Sequence, residues 1–176
     1  MVYISPIKAL AVDVERNLRA PLVGLAQAAQ RRGTDFHQPT ISKTRQPRSA
    51  PRFQRHPADI LITTAESLYL LLTLNARDSL RAVEVVVIDE IHAIVPTKRG
   101  SHLALSIEPL QHLVGRPLQR IGLSAAQRPL EAVPRFLGGA EPSCRESNSL
   151  NGYVCEDSDD NKHYVGFDTT PRSQWN

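Results

Sequence analysis

The chain has 176 residues, of which 41% are hydrophobic and only 5% aromatic. This length is enough for one domain with a sizeable core, built here from aliphatic side chains, and hardly enough for two. The formal net charge of +3 is uneven, because residues 141–176 hold three basic and seven acidic side chains while the first 140 residues carry a net charge of +7. A basic body suits a polyanionic partner such as nucleic acid, although ordinary surface charge would look the same.

The sequence contains no signal for export or membrane insertion. Residues 1–6 lack the basic and long apolar regions of a signal peptide, and no apolar run approaches the ~20 residues that cross a bilayer. Cys144 and Cys155 form no zinc-binding pattern, and a disulfide between them is not expected. These observations predict a soluble intracellular protein, cytoplasmic or in a nucleoid or nucleus, with no membrane partner.

The first predicted elements are a strand, a long helix and a loop. Residues 2–4 resemble a strand, Ser5 is a candidate N-cap, and Pro6 suits the first position of a helix. Gly33 marks the predicted end of that helix. Residues 34–58 predict a basic flexible loop, rich in arginine and proline, which either touches phosphates or is merely solvated. The apolar residues at helical spacing are Leu10, Val14, Leu18, Leu22 and Leu25.

After residue 58 short apolar runs alternate with helical patterns. Thr63 and Thr64 suit the cap of a helix that has Glu66 in its first turn, where a carboxylate favours the helix dipole. Strand–helix alternation at this spacing predicts an α/β fold with a three-layer parallel sheet. The pattern stops near residue 140, so residues 1–139 are predicted to form the domain and residues 140–176 an acidic, disordered tail. The predicted strands are 60–62, 83–88 and 119–123, and the predicted helices cover 65–72, the region around 103–110, and 129–136.

The most informative segment is an apolar strand that ends in Asp89 and Glu90, with His92 two residues later. Open α/β sheets bind ligands at the carboxyl ends of their strands. Adjacent carboxylates repel each other, and a magnesium ion on nucleotide phosphates would offset that repulsion. Asp89 would then hold the metal directly or through water, and Glu90 would polarise the attacking water. Solvated acids at the end of a strand are the alternative.

Four segments together resemble the first motor domain of superfamily 2 helicases, most closely the large helicase-related (Lhr) family of DEAD/DEAH box ATP-dependent helicases. They occur in the family's order, and the resemblance covers residues 2–139. It implies a RecA-like fold of the P-loop NTPase type. The segments are YISPIKALAVD at 3–13 (motif Ia), DILITTAESL at 59–68 (motif Ib), IDEIH at 88–92 (motif II) and GLSAAQR at 122–128 (motif III), with KRG at 98–100 and RFLGG at 135–139 also similar.

The resemblance implies ATP and Mg²⁺ as cofactors and places the nucleotide site at motif II. Asp89 would coordinate magnesium on ATP, Glu90 would orient the hydrolytic water, and His92 would couple this site to motif III. The coupling residues of motif III are Ser124, Ala125 and Ala126.

The resemblance also implies that motifs Ia and Ib hold the phosphate backbone of one strand of DNA, or of an RNA–DNA hybrid, without reading its sequence. Hydroxyl groups and helix N-terminal amides suit that role, and Lys8 would be a salt-sensitive phosphate contact. Plain capping by the hydroxyl side chains and a solvated Lys8 are the alternatives. The implied contact residues are Ser5, Pro6, Lys8, Thr63, Thr64, Glu66 and Ser67.

Departures from the family pattern bear on activity. The sequence has no Walker A loop (G-x-x-x-x-G-K-[ST]) to cradle phosphates, and nothing in it resembles a second motor domain with its arginine finger. Ala126 stands where the family has a threonine, and Ala65 where it has a proline. We therefore expect a RecA-like domain truncated at its N-terminal strand and P-loop, inactive alone, with the 83–88 strand open on one flank.

Two other interpretations of the same departures stay open. In the first, the chain is a residual, non-catalytic module that only binds nucleic acid. In the second, a separate chain supplies the missing P-loop half and restores ATP hydrolysis.

Overall fold

The computed structural model describes residues 1–7, 9–44 and 57–124, residues 133, 136 and 137, and the backbones of three strands after residue 140. Its strands are β1 (Val2–Ile4), β2 (Ile41–Lys43), β3 (Ile60–Thr63), β4 (Val85–Ile88), β5 (Gln119–Ser124), β6 (Ser143–Ser147), β7 (Gly152–Glu156) and β8 (Lys162–Phe167). Its helices are α1 (Leu10–Arg32), α2 (Ala65–Thr73), α3 (Ile91–Ile94) and α4 (Lys98–Val114), with a 3₁₀ helix at Asn75–Leu80. Within these described residues no helix is long and apolar enough to span a membrane.

The strands form one sheet in the order β2-β3-β1-β4-β5-β8-β7-β6. The strands from β2 to β8 in that order are mutually parallel, and β7 is antiparallel to both of its neighbours. Parallel strands need crossover connections, and α1, α2 and α4 lie in the connections from β1 to β2, from β3 to β4 and from β4 to β5. The predicted parallel α/β fold is therefore confirmed. All parallel strands end at the same edge, so the residues that follow them are neighbours in space.

The core lies between the sheet and the helices α2 and α4. Ile4 and Ile88 contribute fully buried side chains from the two central strands, and they join one cluster with Leu68 of α2 and Leu103 of α4. Burial of each such side chain contributes about 1.5–3 kcal/mol relative to exposure. The central strands β1 and β4 are held on both sides by hydrogen bonds, so the loops that follow them leave from a fixed platform.

The first long helix begins later than the sequence predicts. Helix α1 starts at Leu10 after Ala9, which makes no side-chain cap, whereas Ser5 and Pro6 were expected to start it. The reason is that the Ser5 amide still donates to the Thr63 carbonyl at 2.9 Å, and the Ser5 hydroxyl donates to the carbonyl of Ile7. Residues 5–7 therefore form a bend that extends the sheet pairing, which we call the Ia bend.

The structure also corrects the prediction for residues 34–58. Instead of a continuous loop, this stretch contains β2, whose residues pair in parallel with β3. Lys43 of β2 forms an ion pair with Glu15 of α1, and this contact between distant residues favours an ordered strand at the sheet edge. Residues 45–56, which hold all four arginines of this stretch, lie outside the described residues.

The prediction that the motif II strand has an open flank is wrong. Strand β4 pairs with β1 on one side and with β5 on the other, so its backbone groups are used on both edges. The prediction failed because the sequence does not reveal strand order, and motif Ia supplies the neighbour that was thought to be missing. No unpaired edge of β4 is available to drive aggregation.

The acidic tail differs from its predicted disorder. It contains β6, β7 and β8, and β8 pairs in parallel with β5, so the boundary at residue 139 does not separate the tail from the sheet. The prediction of disorder rested on the acidic and polar composition of the tail. Tyrosine and valine favour strands, however, and they occur side by side at Tyr153-Val154 in β7 and at Tyr164-Val165 in β8. Pairing with an existing strand edge adds the non-local hydrogen bonds that composition cannot reveal.

Candidate functional site

The predicted site residues follow the carboxyl ends of neighbouring strands. Ser5 follows β1, Thr64 follows β3, Asp89 follows β4, and Ser124 ends β5. The backbone keeps these ends in register, since the Asp89 amide donates to the Ile4 carbonyl at 2.9 Å. The structure thus brings motifs Ia, Ib, II and the start of motif III to one edge of the sheet, where open α/β folds bind ligands.

Asp89 and Glu90 form an acidic turn between β4 and α3. One carboxylate oxygen of Asp89 accepts a hydrogen bond from the Glu90 amide at 3.0 Å. Within the described part of the chain, Glu90 alone among non-glycine residues has a positive φ, at 49°. A left-handed backbone at a residue with a long side chain costs of order 1–3 kcal/mol and is found mainly at functional sites. The turn therefore fixes two carboxylates at the edge of the sheet despite local strain.

His92 connects the acidic turn to the end of β5. Its Nδ1 atom lies 2.9 Å from the Ser124 hydroxyl oxygen and 3.4 Å from a carboxylate oxygen of Glu90. The sequence predicted a coupling between His92 and Ser124, and the structure brings these two side chains into contact. The other two predicted coupling residues, Ala125 and Ala126, lie outside the described residues.

Tyr3 is a site residue that sequence reasoning missed. Its hydroxyl donates a hydrogen bond to the carboxylate of Asp89, and burial together with the negative charge of Asp89 raises the pKa of Tyr3 above its ordinary value. The signal was the strand register: Tyr3 pairs with Val87, and Asp89 follows two residues later on the same face. Tyr3 therefore helps to orient the first of the two carboxylates.

Three hydroxyl residues of motifs Ia and Ib, Ser5, Thr63 and Thr64, are buried and already make hydrogen bonds. Thr63 is 1% exposed and bonds Thr44 at 2.7 Å, and Ser5 is fully buried. Thr64 caps α2, because its side chain accepts from the Ser67 amide at 3.4 Å. Side-chain capping is thus observed for Thr64. Any ligand at this edge meets the first turn of α2 and the Ia bend before it meets these hydroxyls.

Glu66 and Arg99 form an ion pair on the rim of this edge. The Arg99 Nε atom lies 2.9 Å from the Glu66 carboxylate, and an Arg99 Nη1 atom donates to the Pro6 carbonyl at 3.3 Å. Burial alone would raise the pKa of Glu66, but bonds from its own amide and from Thr64, with the charge of Arg99, bring the pKa below its ordinary value. Sequence reasoning noted Arg99 only as part of a similar segment and assigned it no role.

The residues present suit a magnesium ion that is held by one or two carboxylates and by substrate phosphates better than an ion that is enclosed by protein ligands alone. Among the described residues there is no group of three or more His, Cys, Asp or Glu side chains that could hold a metal. Mg²⁺ usually keeps several waters and uses one or two protein carboxylates together with substrate phosphates. Asp89 and Glu90 match that donor set. The predicted phosphate contact Lys8 lies outside the described residues.

Comparison with known proteins identifies the class of the protein. The family model for the DEAD/DEAH box helicase matches residues 1–133. The chain therefore belongs to the DEAD/DEAH box helicase family, as its motifs predicted, and its parallel sheet has the RecA-like fold.

Its relatives within that family are Lhr helicases. The chain is 51% identical over 148 residues to the Lhr helicase/probable uracil glycosylase of Mycolicibacterium smegmatis, which covers 81% of this chain and 10% of the relative. It is 47% identical over 141 residues to the ATP-dependent helicase Lhr-Core of Methanothermobacter thermautotrophicus, covering 78% and 16%. A solved structure of Mycobacterium smegmatis helicase Lhr bound to ssDNA and AMP-PNP matches 97% of this chain and 20% of its own, at 42% identity and a TM-score of 0.78. The chain thus spans about a tenth of the length of its first curated relative.

Proposed function

We propose that this domain serves ATP-driven unwinding of DNA, or of RNA–DNA hybrids, and that the 176 residues alone hold one nucleic-acid strand without turning over ATP. The observation that carries the proposal is that the Ia bend and the start of α2 share one sheet edge with the acidic turn of Asp89 and Glu90. The similarity to an Lhr helicase whose structure contains ssDNA and AMP-PNP supports both halves of it.

The nucleic-acid half of the proposal uses the first turn of α2. The start of a helix carries partial positive charge, which favours phosphate oxygens without reading bases. Thr64 fixes this end by its cap, Ser67 lies beside it, and the charge of Glu66 is offset by Arg99. Pro6 of the Ia bend lies close by, since Arg99 contacts both the Pro6 carbonyl and the Glu66 carboxylate. Lys8 would add a salt-sensitive phosphate contact.

The nucleotide half of the proposal uses the acidic turn. Bound Mg²⁺ and ATP would supply the phosphoryl group and neutralise its charge. Asp89 would hold the metal, with its carboxylate oriented by Tyr3 and by the Glu90 amide. Glu90 would orient the attacking water. His92 would transmit movements of this turn to β5 through its contact with Ser124. The 176 residues contain no Gly-Lys-Ser or Gly-Lys-Thr to cradle the phosphates, which is why we expect no turnover from them alone.

Titration of a fluorescent-labelled single-stranded oligonucleotide with the full chain tests the nucleic-acid half. Wild-type protein is expected to bind, with affinity that falls as salt rises. Thr64→Ala should weaken binding about fivefold by loosening the phosphate-facing helix end, whereas Thr64→Ser, which keeps the hydroxyl cap, should bind like wild type. Both variants are compared at a temperature where circular dichroism shows them folded. Absence of binding by folded wild-type protein would sink the proposal.

Titration with a fluorescent ATP analogue and magnesium tests the nucleotide half. We expect no saturable binding to the wild-type chain, and none to Asp89→Ala. Saturable binding that Asp89→Ala abolishes would show that the acidic turn holds nucleotide without a Walker A loop. ATPase activity that appears only when a second polypeptide carrying the Walker A loop is added would favour assembly of the site from two chains. In either of those cases the non-catalytic interpretation is wrong.

A further inference from the structure

Arg99 joins two segments that are far apart in the sequence. From the first turn of α4 its Nε atom reaches the Glu66 carboxylate at 2.9 Å, and its Nη1 atom donates to the Pro6 carbonyl at 3.3 Å. One guanidinium group thus contacts both the Ia bend and the start of α2. A small cleft of about 100 Å³ lies between these parts, and Pro6, Glu66 and Arg99 are among the residues that line it.

The base of Arg99 is held against the helix that follows the acidic turn. A Cβ atom on Gly100 would lie 2.5 Å from the Ile94 carbonyl oxygen and 2.8 Å from that of Val95, so α4 begins in direct backbone contact with the end of α3. The Thr97 hydroxyl donates to the Ile94 carbonyl at 2.6 Å and its oxygen accepts from the Gly100 amide. The first turn of α4, from which Arg99 projects, therefore cannot shift without moving α3.

We propose that Arg99 is a positioning residue that holds the Ia bend and the start of α2 at a fixed spacing from each other and from the acidic turn. The inference rests on the proposed function, because that spacing matters for a strand of nucleic acid bound along this edge. Helix α3 begins directly after Glu90, and α4 is packed on its end, so the spacing is set from the acidic turn. Movement of that turn would be passed to both nucleic-acid-binding segments through one side chain.

Geometry favours positioning over direct phosphate binding by Arg99. Two sides of its planar guanidinium are used by Glu66 and by the Pro6 carbonyl. Its positive charge is balanced by the Glu66 carboxylate, which would otherwise repel a phosphate. A planar fork can satisfy both partners at once, whereas the compact ammonium of lysine cannot reproduce that pair of directions.

Hydrogen–deuterium exchange on the full chain tests the proposal without any ligand. Arg99→Met and Arg99→Lys should both speed exchange at the Ser5, Ser67 and Leu68 amides about three- to fivefold, because the tie between the two segments is lost. Arg81 gives a matched control: its side chain is 59% exposed against 60% for Arg99, and it too bridges a carboxylate, Asp78, and a carbonyl, Leu113. Arg81→Met should leave exchange at the site unchanged.

Glu66→Gln provides a second route if an Arg99 variant fails to fold. It keeps the size of the side chain and removes the charge that Arg99 contacts. Exchange at Ser67 should then rise by less than in Arg99→Met, because the Pro6 contact remains. The double variant should exchange no faster than Arg99→Met alone. Unchanged exchange in Arg99→Met and in Glu66→Gln overturns the proposal, whatever happens with nucleic acid.

The oligonucleotide titration then separates positioning from direct contact. A positioning residue predicts that Arg99→Lys and Arg99→Met weaken binding by similar factors, with the slope of log Kd against log salt unchanged. A direct phosphate contact predicts that lysine restores binding and that methionine lowers the slope by about 0.7; that result overturns the proposal. If the wild-type chain does not bind the oligonucleotide, the proposed function fails, while the exchange experiment still decides whether Arg99 holds the two segments.

Discussion

The His92 Nδ1 atom lies 2.9 Å from the Ser124 hydroxyl oxygen, so the turn that follows β4 is tied to the end of β5 by side chains as well as by backbone pairing. The same imidazole lies 3.4 Å from Glu90. A change in the position of the acidic turn therefore alters the contact with β5 directly. We expect this contact to contribute measurably to the stability of the fold.

Replacement of Ser124 by alanine should destabilise the domain by about 1 kcal/mol, because a mostly buried histidine nitrogen loses a hydrogen-bond partner. Urea unfolding followed by circular dichroism measures the change. Ser106→Ala is the matched control, since Ser106 is fully buried but its hydroxyl only donates to the His102 carbonyl within its own helix. We expect the control to change stability by less than half as much, and equal losses would contradict the assigned role of the His92 contact.

Two glycines should respond in opposite directions to the same substitution. Gly100→Ala places a Cβ atom 2.5 Å from the Ile94 carbonyl oxygen, and only a shift of the backbone could relieve this clash. We therefore expect the free energy of unfolding to fall by about 1–3 kcal/mol or more. Gly24 lies inside α1 with nothing within 4 Å of the corresponding position, so Gly24→Ala should stabilise by about 0.5–1 kcal/mol. Thermal unfolding of both variants checks the pair. A stabilising Gly100→Ala would mean that α3 and α4 are not in close contact.

Arg120 should stabilise the fold more through its hydrogen bonds to the Leu137 carbonyl and the Gln111 side chain than through its ion pair with Glu108. Its side chain is 7% exposed, and it donates to the Leu137 carbonyl at 3.0 Å and to the Gln111 side chain, whereas its carboxylate partner Glu108 is 70% exposed. Arg120→Met should therefore cost about 1–3 kcal/mol, and Glu108→Gln less than about 0.5 kcal/mol. Chemical denaturation measures both, and similar costs would show that the ion pair dominates.

The contact between α1 and β2 predicts a loss of stability in acid. Hydrogen bonds from Lys43 and then Arg19 hold the pKa of Glu15 below its ordinary value of 4.5. A carboxyl group with a lowered pKa in the folded state stabilises the fold above the unfolded-state pKa and loses this contribution as pH falls through the folded-state pKa. The stability difference between wild type and Glu15→Gln should therefore be constant near neutrality and shrink below that ordinary value.

Lys43→Met is the corresponding control for that pH dependence. It removes the largest cause of the lowered Glu15 pKa, so the acid-sensitive part of the stability difference should become smaller. Unfolding curves at a series of pH values measure the effect. An unchanged pH profile in Lys43→Met would show that the ion pair between α1 and β2 does not control the titration of Glu15.

The sequence was informative where local pattern and chemistry coincide. The β-branched run of β4 and the acids after it were readable because a doubly buried strand leaves an unbroken apolar stretch. The cap at Thr64 was readable because capping depends on residues three apart. The family motifs then identified the RecA-like fold and the order of these features along the chain, but not the order of the strands in the sheet.

The errors came from contacts between residues far apart in the chain. The Ser5 amide remains paired with Thr63, and this contact delays the start of α1. Strand β2 is only three residues long and depends on β3 for its pairing partners. Arg99 contacts Pro6 across 93 positions, and no local pattern marks that contact. Strand order, which decided that β4 has two neighbours, is likewise a property of the whole sheet.

The left-handed backbone at Glu90 places two demands on one position. Glycine would adopt φ near 49° with little strain, and Glu90→Gly is expected to relax the turn, but it would remove the second carboxylate. Glu90→Gln keeps the strain and removes only the charge. Selection for stability alone would favour glycine here. Glutamate at this position is what the proposed role of the second carboxylate at the sheet edge requires, at the cost of backbone strain.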